Sequence, residues 1–291
     1  MNKCVAVVQF ALAMMGAISL SSQADVALHG QLSQGGLVWG ELPEGSSVKL
    51  DGKSLKIADN GIFVFGFDRD AKPVSHLEVC RAEAVCEKQA LNIAQRQYDI
   101  QRITGVPQET VTPPASVLER IRKETALVVR ARQQDFARQD FTQTFKWPVL
   151  GPITGVFGSQ RVYNGSPGRP HYGLDIAAPT GSTVSAPIDG VVTLAHPDMF
   201  YSGGTLIIDH GMGVSSTFIH LSKVLVEVGQ HVKQGDAIAE VGATGRATGP
   251  HLDWRMNWAG QRLDPALLMG PMPAAKYQTA PVVGKQKTDI H

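Results

Sequence analysis

Apolar positions along the chain fall into two different patterns, one on each side of a polar stretch. In the first part, residues 48–50, 55–57 and 62–67 are short apolar or alternating runs. Asp51-Gly52 and Asn60-Gly61 sit between them, and such dipeptides favour tight hairpins. This predicts a β-rich, sandwich-like accessory domain over residues 25–104. The pattern changes over residues 105–146. Val106-Pro107 and Thr112-Pro113-Pro114 break any strand, and from Ser116 to about Arg138 neither glycine nor proline occurs. Val117, Ile121, Leu127 and Val128 recur there at roughly helical spacing. A long connecting helix is expected, with Ser116 as N-cap and Glu119 completing a capping box. Its arginines alternate with Glu119, Glu124 and Asp135, which predicts a solvated face rather than a site for an anionic partner.

From Phe145-Lys146-Trp147-Pro148 onward, strand and turn signals return. The runs 191–195, 205–209, 215–220 and 237–241 are β-like, and glycines such as Gly190, Gly203, Gly211, Gly229 and Gly242 punctuate them. Short strands at regular spacing predict an antiparallel all-β unit over residues 147–270. Asp264-Pro265 and the residues after it predict a short closing helix. Residues 271–291 are proline-rich and polar and are expected to be a disordered tail. At the other end, Lys3 precedes a mostly apolar run, and Ser22-Gln23-Ala24 offers small residues for cleavage. This predicts a signal peptide over residues 1–24 and a secreted or periplasmic protein. The run is shorter than the roughly 20 residues a membrane span needs, so no stable span is expected after cleavage.

Composition adds limits. The 291 residues suit two domains, and a net charge of +1 provides no general electrostatic grip on nucleic acid. Once the signal is removed, Cys80 and Cys86 are the remaining cysteines. An even pair in an oxidising compartment points to a disulfide, with two free thiols as the alternative.

Candidate chemistry concentrates in the second half, at His171, Asp175, His220, His251 and Asp253. Imidazole and carboxylate hold catalytic zinc and move protons near it. His251 and Asp253 are two apart on a strand-like run, so both face one side, roughly 6–7 Å apart, while Leu252 and Trp254 face packing. Pro170 and Gly173 argue against a helix around His171, which predicts a loop carrying His171 and a strand carrying Asp175. Arg161 and Tyr163 precede this motif as candidates for substrate contact. His210 lies in a glycine turn and is expected to serve a hairpin, while His196 and His231 are expected at the surface. The His-Glu-x-x-His and Gly-x-Ser-x-Gly motifs do not occur.

The runs His171-x-Gly-x-Asp175, Thr217-Phe-Ile-His220-Leu and Gly249-Pro-His251-Leu-Asp253 resemble the lysostaphin/LytM-type zinc metallopeptidases. The resemblance covers about residues 147–268. Members of that family cut peptide bonds in the cross-links of bacterial peptidoglycan. The resemblance implies an antiparallel β fold with a groove across one sheet. It also implies Zn2+ held by His171, Asp175 and the last residue of a His-x-His motif, with His220 and His251 as the catalytic pair. This chain departs at that last position, where Asp253 stands in place of the family's histidine. Carboxylate is an acceptable ligand, so Asp253 completes the expected set. Two carboxylates and one imidazole make the loaded site neutral rather than +1, which predicts a weaker Lewis acid and a preference for a harder metal such as manganese. The alternative is a metal-free relative that regulates cell-wall amidases. Residues 228–242 also resemble biotinyl or lipoyl carriers, but Lys223 and Lys233 lack the hairpin context of a modified lysine. The expectation is therefore an exported, mainly β endopeptidase acting on peptidoglycan peptides.

Overall fold

The computed structural model describes residues 26–81, 86–103, 115–163 and 165–273. The expected signal peptide and the tail from residue 274 lie outside the described residues. Met272 packs against the core and accepts a hydrogen bond from the Gly151 amide, so the described chain holds to the core past residue 270.

The N-terminal part contains β1 (Leu28–Gly30), β2 (Leu37–Glu41), β3 (Ser47–Leu50), β4 (Lys53–Ser54), β5 (Ile62–Gly66), β6 (Val74–Cys80) and β7 (Cys86–Asn92). Two antiparallel sheets, β1-β2-β5 and β4-β3-β6-β7, enclose Val38, Phe63, Phe65, Leu77, Val79 and Leu91. The alternation of β6 explains the arrangement: Ser75, Leu77 and Val79 are buried while Val74 and His76 are exposed. Asp51-Gly52 joins β3 to β4 as expected. Residues 55–57 do not form a strand; Ile57 makes a single bridge to Phe63 before the turn at Asn60-Gly61. Cys80 and Cys86 face each other across β6 and β7 and form a disulfide.

Strand β8 (Ile100–Ile103) leaves this part, and a 3-10 turn, Ala115–Val117, leads into α1 (Leu118–Arg132). The helix ends at Arg132 rather than near Arg138, because residues 133–138 bring no further apolar stripe and the chain turns to bury Phe141 and Phe145. The expected capping box does not form. Ser116 is wound into the 3-10 turn, and Val117 at the cap position makes no side-chain hydrogen bond.

The C-terminal part contains β9 (Ile153–Gly155), β10 (Gln160–Tyr163), β11 (Ser166–Pro167), β12 (Leu174–Ala177), β13 (Thr183–Ser185), β14 (Gly190–Met199) and β15 (Gly203–Asp209). It continues with β16 (Val214–Leu221), β17 (Lys223–Val224), β18 (His231–Val232), β19 (Ala237–Glu240), β20 (His251–Trp258) and β21 (Gln261–Leu263). The main sheet has the order β18-β14-β15-β16-β20-β12-β9, with β21 also paired to β20. The expected β runs fall in β14, β15, β16 and β19. The closing element is the 3-10 turn Pro265–Leu268, where Asp264 accepts from the Ala266 amide. Among the described residues, no helix is long and apolar enough to cross a membrane.

The two faces of this sheet differ. One carries Leu174, Ile176, Leu206, Phe218, Leu252, Trp254 and Met256 into a core shared with Val184, Ile238 and Val241 of the small sheet β13-β19-β17. Each such buried side chain contributes roughly 1.5–3 kcal/mol. The other face carries two rows of register partners: Asp175, Asp253 and Ile219, then Arg255, Thr217, Ile207 and Leu194. Helix α1 packs Val128 and Ala131 over Ile207, Leu194 and Met199 at one end of this face. The remainder stays open beside β8, which pairs in parallel with β10.

Candidate metal centre

Antiparallel pairing sets Asp175 of β12 directly opposite Asp253 of β20, on the open face. His171 approaches from the loop before β12. Its Nδ1 lies 3.2 Å from the Val156 carbonyl oxygen. A carbonyl only accepts, so Nδ1 carries a hydrogen and Nε2 is the nitrogen left facing the carboxylates, protonated until a metal displaces its proton. That Nε2 is 3.1 Å from Asp175 Oδ1 and 3.5 Å from Asp253 Oδ2. The closer approach lacks hydrogen-bond geometry, and both His171 Nε2 and Asp175 Oδ1 are buried without a hydrogen-bond partner. Leaving two such groups unsatisfied is costly, so their convergence is best explained by a shared cation. The three ligand atoms all lie within 4.8 Å of one another. Donors about 2 Å from a common zinc ion lie roughly 3.3 Å apart, so the set fits a divalent metal.

Two glycines make room for the carboxylates. A Cβ at Gly155 would stand 2.2 Å from Asp175 Oδ2, and one at Gly173 would stand 2.1 Å from Asp253 Oδ1. Any side chain at either position would push the adjacent carboxylate aside.

His220 and His251 complete the cluster. Their Nδ1 atoms lie 2.8 Å from the carbonyl oxygens of Thr244 and Gly249 respectively, so both rings present a bare Nε2. The ring centroids are 4.9 Å apart, and His251 Nε2 is 3.9 Å from Asp175 Oδ1. His220 has φ of 66°, a left-handed conformation that costs a non-glycine residue energy and recurs at functional sites. Burial lowers the His220 pKa, so the ring is neutral at neutral pH and can accept a proton.

Charge around the metal group is strongly coupled. Burial alone would lower the His171 pKa, but the adjacent carboxylates of Asp175 and Asp253 push it up to about 10. Burial alone would raise the Asp253 pKa, but Arg255 and His171 hold it well below the usual carboxylate range. Arg255 had no role in the sequence reading. Its Nε donates to Asp253 Oδ1 at 2.9 Å and its Nη2 to Asp253 Oδ2 at 2.6 Å. The available signal was the strand period: Arg255 is two residues beyond Asp253 and therefore on the same face.

The site opens into a cavity of about 580 Å³, lined by all five predicted residues and by Asp99, Gln101, Arg161, Arg246 and Arg255. Arg161 is thus at the site as expected, while its neighbour Tyr163 lies on β10. Asp99 and Gln101 come from the segment carrying β8 and carried no sequence signal. Arg246 stacks on Tyr201, with its guanidinium 4.5 Å from the ring centroid. His210 is outside the cluster and fully buried; Nδ1 contacts the Asp189 carbonyl and Nε2 contacts Ser216 Oγ, each at 2.7 Å.

Residues 169–265 match the sequence pattern of Peptidase family M23. A crystal structure assigned to peptidase M23 from Pseudomonas aeruginosa is 31% identical with a TM-score of 0.62, covering 82% of this chain and 96% of that one. Peptidoglycan DD-endopeptidase ShyB of Vibrio cholerae serotype O1 is 40% identical over 144 residues, 49% of this chain and 30% of that protein. Peptidoglycan DD-endopeptidase ShyA of the same organism is 38% identical over 122 residues, 40% of this chain and 28% of that protein. The chain therefore matches under a third of the length of these two relatives. With all five clustered side chains inside the matched segment, the likeness to the Pseudomonas structure over nearly that whole chain places this protein in peptidase family M23.

Proposed function

We propose that this protein is an exported zinc metalloendopeptidase that hydrolyses peptide cross-links of bacterial peptidoglycan. The observation that carries this reading is the convergence of His171 Nε2, Asp175 Oδ1 and Asp253 Oδ2, two of them buried without partners, beside two imidazoles with bare Nε2 atoms. His171, Asp175 and Asp253 would hold the metal, which supplies a Lewis acid that polarises the scissile carbonyl and acidifies bound water. The protein's own part is to position and to move protons. Val156 fixes the tautomer of His171. Gly249 and Thr244 fix those of His251 and His220, whose Nε2 atoms take a proton from water and return it to the leaving amine. The polar walls, with Asp99, Arg161 and Arg246, hold the peptide in the cavity.

A second reading is favoured by one observation. Both Asp253 oxygens already accept from Arg255. This is compatible with a metal-free relative whose groove binds a partner and regulates cell-wall amidases. One experiment separates the two. The mature protein is purified, its metal content is measured, and it is incubated with peptidoglycan with and without chelator. About one zinc per chain and chelator-sensitive peptide release are expected. A folded protein that holds no metal and releases no peptides would overturn the enzyme reading and support the regulator.

A further inference from the structure

Asp253, buried, and Asp175, half-buried, are carboxylates placed directly opposite each other on neighbouring strands. Like charges at such positions repel, and a buried anion without a counter-charge is costly. Arg255 addresses one of them. Its side chain lies along the same face of β20 and grips Asp253 with both arms of the guanidinium at 2.9 and 2.6 Å. This bidentate fork fixes the carboxylate plane as well as its charge. The plane it fixes is the one that keeps Asp253 Oδ2 within 3.5 Å of His171 Nε2.

We infer that Arg255 is a positioning residue, and that Asp253 and Arg255 act together as a single donor of zero net charge at the third metal position. The inference rests on the proposed metal site. His171, Asp175 and this paired donor carry −1 in total, the same as two imidazoles and one carboxylate. The loaded site then carries +1, not the zero expected from three ligands counted without Arg255. The expected preference for a harder metal falls away for the same reason. The pair also lets the protein fold before metal arrives, because Asp253 is never an unpaired buried anion. A further consequence concerns Asp253→His. Alone, this change strands the Arg255 cation beside a neutral ring.

The test uses the full mature chain with Arg255→Met, Arg255→Lys, Asp253→His and the double variant Asp253→His/Arg255→Met. Two quantities are read: Tm of the metal-free protein, and Zn2+ and Mn2+ affinity by competition with a chromophoric chelator. Arg255→Met should lower the metal-free Tm and tighten zinc binding by about 10- to 100-fold, because a cation within a few ångströms is removed. Arg255→Lys, which keeps the charge but loses the two-armed grip, should weaken zinc binding by about tenfold, because the carboxylate plane is no longer fixed. Asp253→His should lower the metal-free Tm, and adding Arg255→Met to it should restore most of that loss. Strictly additive Tm changes, or a zinc affinity unmoved by Arg255→Met, would overturn the role of Arg255 while leaving a zinc-binding protein. Absence of zinc binding in the parent and in every variant, with folding intact, would instead overturn the metal site on which the inference rests.

Discussion

His210 and His171 sit in the same β unit, both beside aspartates, one fully buried and the other with its Nε2 shielded from water, yet they are bonded in opposite ways. His210 has both ring nitrogens engaged, by the Asp189 carbonyl and Ser216 Oγ. Burial pushes its pKa down to about 4, so it is a neutral, saturated connector at the end of β15. His171 has only Nδ1 engaged, and its Nε2 is aimed at carboxylate oxygens that do not complete it. His220 and His251 follow the same half-satisfied pattern. Burial and histidine content do not separate a structural imidazole from a chemical one; the count of unengaged ring nitrogens does.

This contrast can be broken by mutation. The largest effect is expected for His171→Ala or Asp175→Asn. Zinc affinity should fall by at least about 100-fold and peptide release should drop to background in both; the metal-free Tm should hold or rise for Asp175→Asn, which relieves the repulsion between facing carboxylates, and fall for His171→Ala, which removes the cation beside them. Metal analysis, turnover on peptidoglycan and thermal melts check each part. A zinc affinity unchanged in His171→Ala would place His171 in the same class as His210.

Next come His251→Ala and His220→Ala, which should lower turnover by about 10²- to 10⁴-fold while leaving zinc bound. Metal content measured with turnover decides this; loss of the metal in either variant would make that histidine a ligand.

His210→Ala should behave in the opposite way. It leaves the Asp189 carbonyl without its imidazole partner and Ser216 Oγ with only the weak contact to Met256 Sδ, and it opens a cavity, at a cost of about 2–4 kcal/mol in stability. Zinc affinity of the folded fraction should stay at the parent value, as read by denaturant melts and metal titration.

The smallest effect tests Asp209, the neighbour of His210. Burial pushes this carboxyl from its ordinary value of 3.8 up to about 7. The folded state therefore binds the proton more tightly than the unfolded state. The stability this contributes is full below 3.8 and is lost as pH rises through about 7. Asp209→Asn should accordingly stabilise the protein by about 1 kcal/mol at pH near 8.5 and have little effect near pH 5. Thermal melts at the two pH values give the sign; equal shifts at both would show that Asp209 does not titrate in this way.

Much of the metal centre was legible because strands write their faces into the sequence with a period of two. His251 and Asp253 were expected on one side and Leu252 and Trp254 on the other, and burial agrees: Leu252 and Trp254 are core residues. The four β runs of the C-terminal part were legible for the same reason. Other features depended on contacts that leave no local mark. The parallel pairing of β8 with β10 joins segments on either side of α1, and no pattern in either announces it. The end of α1 is set by the burial of Phe141 and Phe145 farther along the chain, and not by a break in its own composition. Arg255 is an intermediate case. Its position on the face was readable, but its partner was not, because a two-residue spacing permits an ion pair without requiring one.

Strand β8 bears on how such a protein diversifies. It lies before α1, outside residues 169–265 shared with the family, yet its segment brings Asp99 and Gln101 to the rim of the cavity that holds the candidate metal centre. A gene fusion that carried only the shared stretch into a new host would transfer the clustered histidines and aspartates and leave this rim behind. Two chains can therefore share all five clustered residues and still differ in the wall of the cavity, with the difference recorded in a connector that a comparison of motifs would pass over.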